Sequence, residues 1–309
     1  MVVGDGNQKT GGNTSQSSRY MSIYYLCGGF FIPSASTDQR RRPKMTIAIT
    51  TGLTRNHIRP APNARRILVL NLMPTRAVTE QQIAAALGNT DTNLALTFAL
   101  PATHQVRHHA AAIRAAYPTL AEMADQHFDG LIVTGAALDQ LPFTAVDFWP
   151  EFRQLLTWRR THVEHSLFLC WGAYAALHVD GVADGHQITH KINGIYTTNG
   201  VTMPHSRYFT IPITSVQHGK VVAGDDRIGA TIITDAALRS TYITGHLEYW
   251  TGTLASEFHR DQHRGLTVAP PSNYFDHDMR PVNSWQHDTA TFYRHWVHQL
   301  TPQEVTAHD

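Results

Sequence analysis

Three residues in this chain have the types and order that covalent catalysis requires: a thiol at Cys170 and, downstream, an imidazole and a carboxylate at His246 and Glu248. A thiol nucleophile needs a base beside it and a third group to orient that base. Cys170 ends the apolar run Ser166-Leu167-Phe168-Leu169, and a helical stretch begins at Gly172, so the sulfur stands on a strand-to-helix turn. Such a turn projects the side chain out of the sheet, and the helix N-terminus favours thiolate over thiol. The competing reading of Cys170 is a small buried hydrophobe, the common state of a free cysteine. His246 and Glu248 are two apart and share one face of an extended segment, where the carboxylate can hold the imidazole.

Other polar groups could bind a substrate. Lys191 follows a glycine-containing loop, Pro204-His205-Ser206-Arg207-Tyr208 gathers several polar side chains, and Arg260 lies on a helical stretch after His246. Arg and Lys are the usual partners of a carboxylate, although each of these is equally readable as a solvated surface charge. Metal chemistry finds less support. His259 and His263 share a helix face, and Asp276-His277-Asp278 is a local cluster, but H-E-x-x-H is absent and no third ligand is evident, so no metal is expected. Neither G-x-G-x-x-G nor a Walker loop occurs.

The elements that must position these residues alternate. Ile67 to Leu72, Leu94 to Leu100, Phe128 to Gly135 and Ser166 to Cys170 read as strands. Between or after them, helices are predicted from a capping box at Thr79-Glu80-Gln81-Gln82, over Gln105 to Tyr117, over Val146 to Thr161 and from Gly172 to His178. This alternation implies an α/β fold, an open and mostly parallel sheet flanked by helices. Gly181 to about Arg239 is β-rich and is inserted before the His-x-Glu pair. Two strands are predicted at Ala230–Thr234 and Ser240–Thr244, then helices at Leu254–His263 and Thr289–Leu300.

The bulk numbers narrow the setting. A formal net charge of +1 gives no field of one sign for nucleic acid or a membrane surface. The two cysteines, Cys27 and Cys170, do not make a disulfide framework and fit a reducing, cytoplasmic compartment. The apolar stretch Tyr20–Ile32 is short of the ~20 residues of a membrane helix and is broken by Ser22, Gly28 and Gly29. Residues 1–44 are rich in Gly, Ser, Thr and Asn and end in Arg40-Arg41-Arg42-Pro43-Lys44, so a disordered leader is expected, with residues 45–309 forming a single α/β domain.

Several strings resemble the homoserine O-acyltransferase family of the transsuccinylase type, which is related in fold to class I glutamine amidotransferases. They are Leu70-Asn71-Leu72-Met73-Pro74, Thr79-Glu80, Phe128 to Ala136, Cys170-Trp171-Gly172-Ala173, Pro204 to Tyr208, Thr244-Gly245-His246, Glu248-Tyr249 and Asn273-Tyr274-Phe275. The resemblance implies that Cys170 takes the acyl group from an acyl-CoA as a thioester, with His246 as base and Glu248 holding the imidazole. It implies an oxyanion hole from the backbone N–H of Trp171 and one near Leu138, and contacts from Lys191, Ser206 and Arg260 to the amino-acid acceptor. It also implies a homodimer, small-molecule substrates and no permanently bound cofactor beyond the acyl-CoA co-substrate. In this family a residue in the turn after the Thr-Gly-Ala strand separates the acyl donors, glycine admitting succinyl and glutamate excluding it. Asp139 stands there, and its charge would repel a succinyl carboxylate, which favours acetyl-CoA over succinyl-CoA.

The sequence departs from the family at Tyr174, where glutamine is common, at Leu247, where proline is usual, and in a shortened connection from Ile195-Tyr196 to Pro204. The shortening lies between Lys191 and Ser206, which makes L-serine an alternative acceptor to L-homoserine and cysteine rather than methionine biosynthesis the alternative pathway. A glutaminase or amidotransferase is the reading from a different class, but Phe168 replaces the first glycine of its G-x-C-x-G signature. A binding protein without catalysis is a third. Because Met45 follows the basic run and every motif lies beyond it, Met45 is the expected natural start. Intact-mass measurement of native protein is expected to show a chain beginning at Met45, and a mass that includes Met1 would overturn this.

Overall fold

The structure is a computed structural model and describes residues 45–300 apart from 107; the leader, Cys27 and the last nine residues lie outside the described residues. The strands are β1 (Ile47–Ile49), β2 (Arg65–Leu70), β3 (Leu94–Ala99), β4 (Phe128–Val133), β5 (Val163–Leu169), β6 (His186–Thr198), β7 (Val201–Thr210), β8 (Lys220–Asp225), β9 (Gly229–Asp235) and β10 (Ser240–Ile243). The helices are α1 (Arg76–Leu87), α2 (Ala110–Ala116), α3 (Trp149–His162), α4 (Trp171–Asp180), α5 (Thr253–His263) and α6 (Gln286–His298). Eight strands form one sheet in the order β1-β3-β2-β4-β5-β10-β9-β8. The six from β1 to β10 in that order pair in parallel, and β9 and β8 close the edge antiparallel. The expected α/β architecture with a mostly parallel sheet is the observed one.

Alternation along each strand explains the near-continuous apolar runs. Leu68, Leu70, Leu131, Val133 and Phe168 point to one face, where Phe152 and Leu155 of α3 and Trp171 and Ala175 of α4 cover them. Ile67, Val69, Ile132, Leu167 and Leu169 point to the other, covered by Ile83 and Leu87 of α1 and Tyr293, Trp296 and Val297 of α6. Both faces are therefore dry. No helix among the described residues is long and apolar enough to cross a membrane.

Two expected helix starts differ. α1 begins at Arg76, so Thr79 and Glu80 lie inside it and form no capping box. Glu80 is instead fully buried and accepts hydrogen bonds from the Leu53 N–H (3.0 Å), the Thr54 N–H (2.7 Å), the Thr54 hydroxyl (2.6 Å) and the Tyr117 hydroxyl. Four converging donors satisfy a buried carboxylate better than one helix end would. α2 starts at Ala110 rather than near Gln105, because the Gln105 N–H is held by Asp147 (2.9 Å) and His109 adopts a left-handed conformation.

The β-rich insertion is two structures. β8 and β9 extend the main sheet, whereas β6 and β7 form a separate hairpin turned by Asn199-Gly200, both with positive φ, the signature of a tight two-residue turn. Gln187 pairs with Phe209 and Ile192 with Arg207, so the four residues from Ile188 to Lys191 stand opposite Tyr208 alone. That bulge leaves the Tyr208 N–H without its ladder partner.

Gly172 shows how tightly the turn after β5 packs. A Cβ there would lie 2.8 Å from the Thr134 carbonyl oxygen and 3.0 Å from Val133 Cγ1. Gly172→Ala is thus expected to destabilise the fold by about 1–3 kcal/mol, although alanine is the better helix former. Urea denaturation would read this as a lower midpoint, and an unchanged or higher midpoint would refute it.

Candidate active site

The site is assembled where three strands end together. β5 lies between β4 and β10, with Val133 opposite Phe168 and Ile243 opposite Leu169. The residues just past each strand, Gly135, Cys170 and His246, therefore emerge at one edge of the sheet. A Cβ on Gly135 would come within 3.2 Å of His246 Cε1 and 3.3 Å of Cys170 Cβ, so glycine is what allows the approach.

Cys170 sits at φ 46°, ψ −113°, a strained conformation for a residue with a side chain, immediately before α4. Its N–H still donates to the Ile243 carbonyl at 2.7 Å, which pins the elbow to β10. Trp171 opens α4, so its N–H belongs to the first turn, where backbone donors have no partner within the helix. Leu138 lies in the turn after β4 and packs against the core beneath.

His246 is buried, and its Nδ1 hydrogen-bonds Glu248 Oε1 at 2.7 Å. The pairing arises from a turn rather than from the extended segment expected, because Leu247 and Glu248 turn back and the Tyr249 N–H donates to the His246 carbonyl at 3.4 Å. Leu247, the departure from the family's proline, is fully buried in the core on the α1 side. The His246 ring stacks on Tyr249 with centroids 4.0 Å apart. Burial alone would lower the imidazole pKa, but the negative charges of Cys170 and Glu248 and hydrogen bonds to both raise it well above the ordinary histidine value. The raised pKa favours the imidazolium form of His246 beside Cys170.

Lys191, Ser206 and Arg260 form a second group, where the hairpin meets α5. Lys191 Nζ lies 3.2 Å from Asp261 Oδ2, and the Arg260 guanidinium donates to Asp261 Oδ1 through Nε at 2.9 Å. Ser206 donates to Glu257 Oε2 at 2.5 Å, and Tyr249 donates to Glu257 Oε1 at 2.8 Å, which ties this group to the ring stacked on His246. Asp139 is half-buried and accepts a 2.6 Å hydrogen bond from the Tyr208 N–H that the bulge has freed. Burial raises its carboxyl pKa, against the lowering effects of that N–H and of Lys191.

Three further groups lie near the site, two of them, Arg207 and His205, within the Pro204–Tyr208 string already noted in the sequence. Arg207 is fully buried, donates to the Phe209 and Ile228 carbonyls, and has its pKa lowered to about 10 by burial, with Cys170, Tyr196 and Asp139 acting to raise it. It remains a cation at neutral pH, close enough to act on the sulfur. His205 is also fully buried, and burial together with the charges of Arg207 and His246 drives its pKa far down, so it is neutral. The inward alternation of His205, Arg207 and Phe209 on β7 was the available signal. Glu257 is the third; its signal was its spacing of three from Arg260 on one helix face.

The shortened connection proves to be the Asn199-Gly200 turn. Ser206 pairs with Asn193, five steps along the hairpin from the Thr198–Val201 pair, or roughly 17 Å. The connection is therefore confined to the hairpin tip, away from Ser206. Tyr174, another departure, stacks on Phe209 with centroids 4.6 Å apart and props the base of the hairpin.

Comparison with known proteins bears on the family of the chain. The chain is 41% identical over 254 residues to the homoserine O-acetyltransferase of Leuconostoc mesenteroides, covering 78% of this chain and 83% of that one. It is 35% identical over 259 residues to the homoserine O-acetyltransferase of Streptococcus gordonii, covering 77% and 83%. Among solved structures, the protein SMU.1228c superposes with a TM-score of 0.50 at 15% identity, covering 76% of this chain and 99% of that one. A glutamine amidotransferase from Thermotoga maritima gives a TM-score of 0.46 at 10% identity, over 78% and 97%. Residues 41–307 match the model of the homoserine O-succinyltransferase family, and with relatives of this identity over most of its length the chain belongs to that family of homoserine O-acyltransferases.

Proposed function

We propose that the chain is an acetyl-CoA-dependent homoserine O-acetyltransferase of methionine biosynthesis that works through a thioester on Cys170. The observation that carries the thioester is the convergence of Cys170, the raised-pKa His246 and Glu248 at three adjoining strand ends. The Cys170 thiolate attacks the acetyl-CoA carbonyl. The N–H groups of Trp171 and Leu138 take the developing oxyanion. The bond to the coenzyme A sulfur then breaks, and that sulfur receives the proton of the His246 imidazolium. In the second half, neutral His246 accepts the proton of the acceptor hydroxyl as its oxygen attacks the thioester. Cys170 leaves as thiolate and the imidazolium is restored.

Acetyl rather than succinyl follows from Asp139. A carboxylate fixed by the Tyr208 N–H in a partly desolvated turn repels a second carboxylate on the donor. Both relatives named above are homoserine O-acetyltransferases, which supports the same donor. Lys191, Ser206 and Arg260 serve the acceptor in this reading. The active species is taken as a cytoplasmic homodimer acting on small molecules, as the family resemblance implies.

Acetyl-CoA or succinyl-CoA paired with L-homoserine or L-serine tests this, with free coenzyme A as the readout. Acetyl-CoA with homoserine is expected to dominate, with an acetyl adduct on Cys170 by mass spectrometry. Transfer mainly to serine would move the protein to cysteine biosynthesis. Because burial raises the Asp139 pKa, its charge is complete at higher pH and is lost as pH falls through that raised value. Preference for acetyl over succinyl should therefore weaken toward acid pH, and Asp139→Gly should raise succinyl use at least about tenfold. A pH-independent ratio that Asp139→Gly also leaves alone would remove Asp139 from donor selection. Glu248→Gln is expected to lower turnover by on the order of 10³-fold and to lower the His246 pKa in an NMR titration. An unshifted imidazole would contradict the role given to Glu248.

A further inference from the structure

Glu248 bonds His246 through one carboxylate oxygen only. The other, Oε2, is buried and has no hydrogen-bond partner among the described residues. A buried carboxylate oxygen without a donor is costly, so a nearby buried donor without an acceptor is informative. The Tyr293 hydroxyl on α6 is such a group. The residue is fully buried, and its oxygen also lacks a partner among the described residues.

The fold brings the two together. α6 lies along the turn that carries Glu248 and grips its backbone on either side. Trp285, the residue before the helix, donates through Nε1 to the Tyr249 carbonyl at 3.1 Å, and the Thr289 hydroxyl donates to the Leu247 carbonyl at 2.6 Å. Tyr293 follows Thr289 by four residues, as Thr289 follows Trp285, so the three form one stripe of the helix. Tyr293 and Leu247 pack in the same side of the core. Burial, and after it the charge of Glu248, pushes the Tyr293 pKa well above the ordinary tyrosine value, so the hydroxyl keeps its proton and meets an anion as a donor.

We infer that Tyr293 is a positioning residue for the proposed catalysis, its hydroxyl supplying Glu248 Oε2 with the missing hydrogen bond through one interior water. The inference rests on the reading of Glu248 as the group that holds the imidazole. The water accepts from Tyr293 and donates to Oε2, an arrangement that satisfies both orphaned atoms. With both oxygens engaged, the carboxylate is held against rotation and Oε1 stays on His246 Nδ1. Without the hydroxyl the carboxylate can turn, and the 2.7 Å bond to the imidazole loosens. Tyr293 acts through Glu248 and touches no reacting atom.

Tyr293→Phe tests this, since it removes the hydroxyl and keeps the ring. The resting protein is read by NMR titration of His246 and by urea denaturation, and Cys170 acetylation by single-turnover intact mass with acetyl-CoA. The His246 pKa is expected to fall by about half a unit or more, because the bond to Glu248 helps to raise it. The urea midpoint should fall, whereas deleting a hydroxyl that served nothing would leave it unchanged or raise it. Acetylation should slow about tenfold with little change in its acetyl-CoA dependence. In a Glu248→Gln background the same substitution should change the rate by no more than about twofold, since both act through one link. An unshifted His246 pKa, whatever the rate does, would overturn the inference and leave Tyr293 as core packing. Wild-type protein that never acquires an acetyl group would overturn the proposed function, and the titration would still decide whether Tyr293 holds Glu248.

Discussion

The hydrogen bond from the Cys170 N–H to the Ile243 carbonyl, 2.7 Å long, is the contact on which the site depends. It carries the β5–β10 ladder one residue beyond Leu169, so the strained residue at φ 46° is held by the sheet rather than left to relax into the helix. Strain of that kind persists only where the surroundings over-determine it. Gly172 packs against Thr134 and Val133 on one side, and Gly135 lies under the sulfur and the imidazole. Parallel pairing then does the rest. Because Ile243 is opposite Leu169, the chain leaving β10 has only to turn at Thr244-Gly245 to bring His246 against Cys170.

The hairpin adds a second layer that the sheet cannot supply. Its backbone anchors the turn that carries His246, since the Pro204 carbonyl accepts the His246 N–H at 2.8 Å. Its inward side chains place the Arg207 cation near the sulfur, and its outward face gives Ser206 to Glu257. One strand therefore fixes His246, contributes charge near Cys170 and meets α5. This explains why a fully buried Arg207 is tolerated. Its hydrogen bonds to the Phe209 and Ile228 carbonyls offset part of the desolvation, and the anionic groups around it offset more.

The sheet was legible because its strands are buried on both faces and read as apolar runs, as Ile67 to Leu70 and Leu131 to Val133 do. Cys170 was legible from its place between such a run and a helix. Other features depend on contacts distant in sequence. Thr79-Glu80 has the letters of a capping box, yet Glu80 is claimed by Leu53, Thr54 and Tyr117, which no local pattern reveals. Glu257 reads as an exposed helix acid until the hairpin brings Ser206 onto it. The spacing of His246 and Glu248 anticipated their contact but through the wrong geometry, since i and i+2 can converge through a turn as well as along a strand.

The hairpin bulge bears on how the donor choice proposed above would be built. Asp139 would be a mobile surface acid if its carboxylate were not held, and a mobile charge is screened by water and discriminates weakly. What holds it is the Tyr208 N–H, and that donor is free only because four residues of β6, Ile188 to Lys191, face Tyr208 alone. Gln187, at the edge of the same bulge, donates to the Asp139 and Leu141 carbonyls and ties the backbone of the turn as well. The bulge also presents Lys191 toward Asp261 of α5. A single irregularity in one strand thus holds the Asp139 carboxylate on one side and presents Lys191 to α5 on the other. Under the proposed function, exchanging the residue at 139 without regard to the bulge would change the size of the pocket but not the way its charge is held, which would make donor selectivity a property of the turn and the hairpin together.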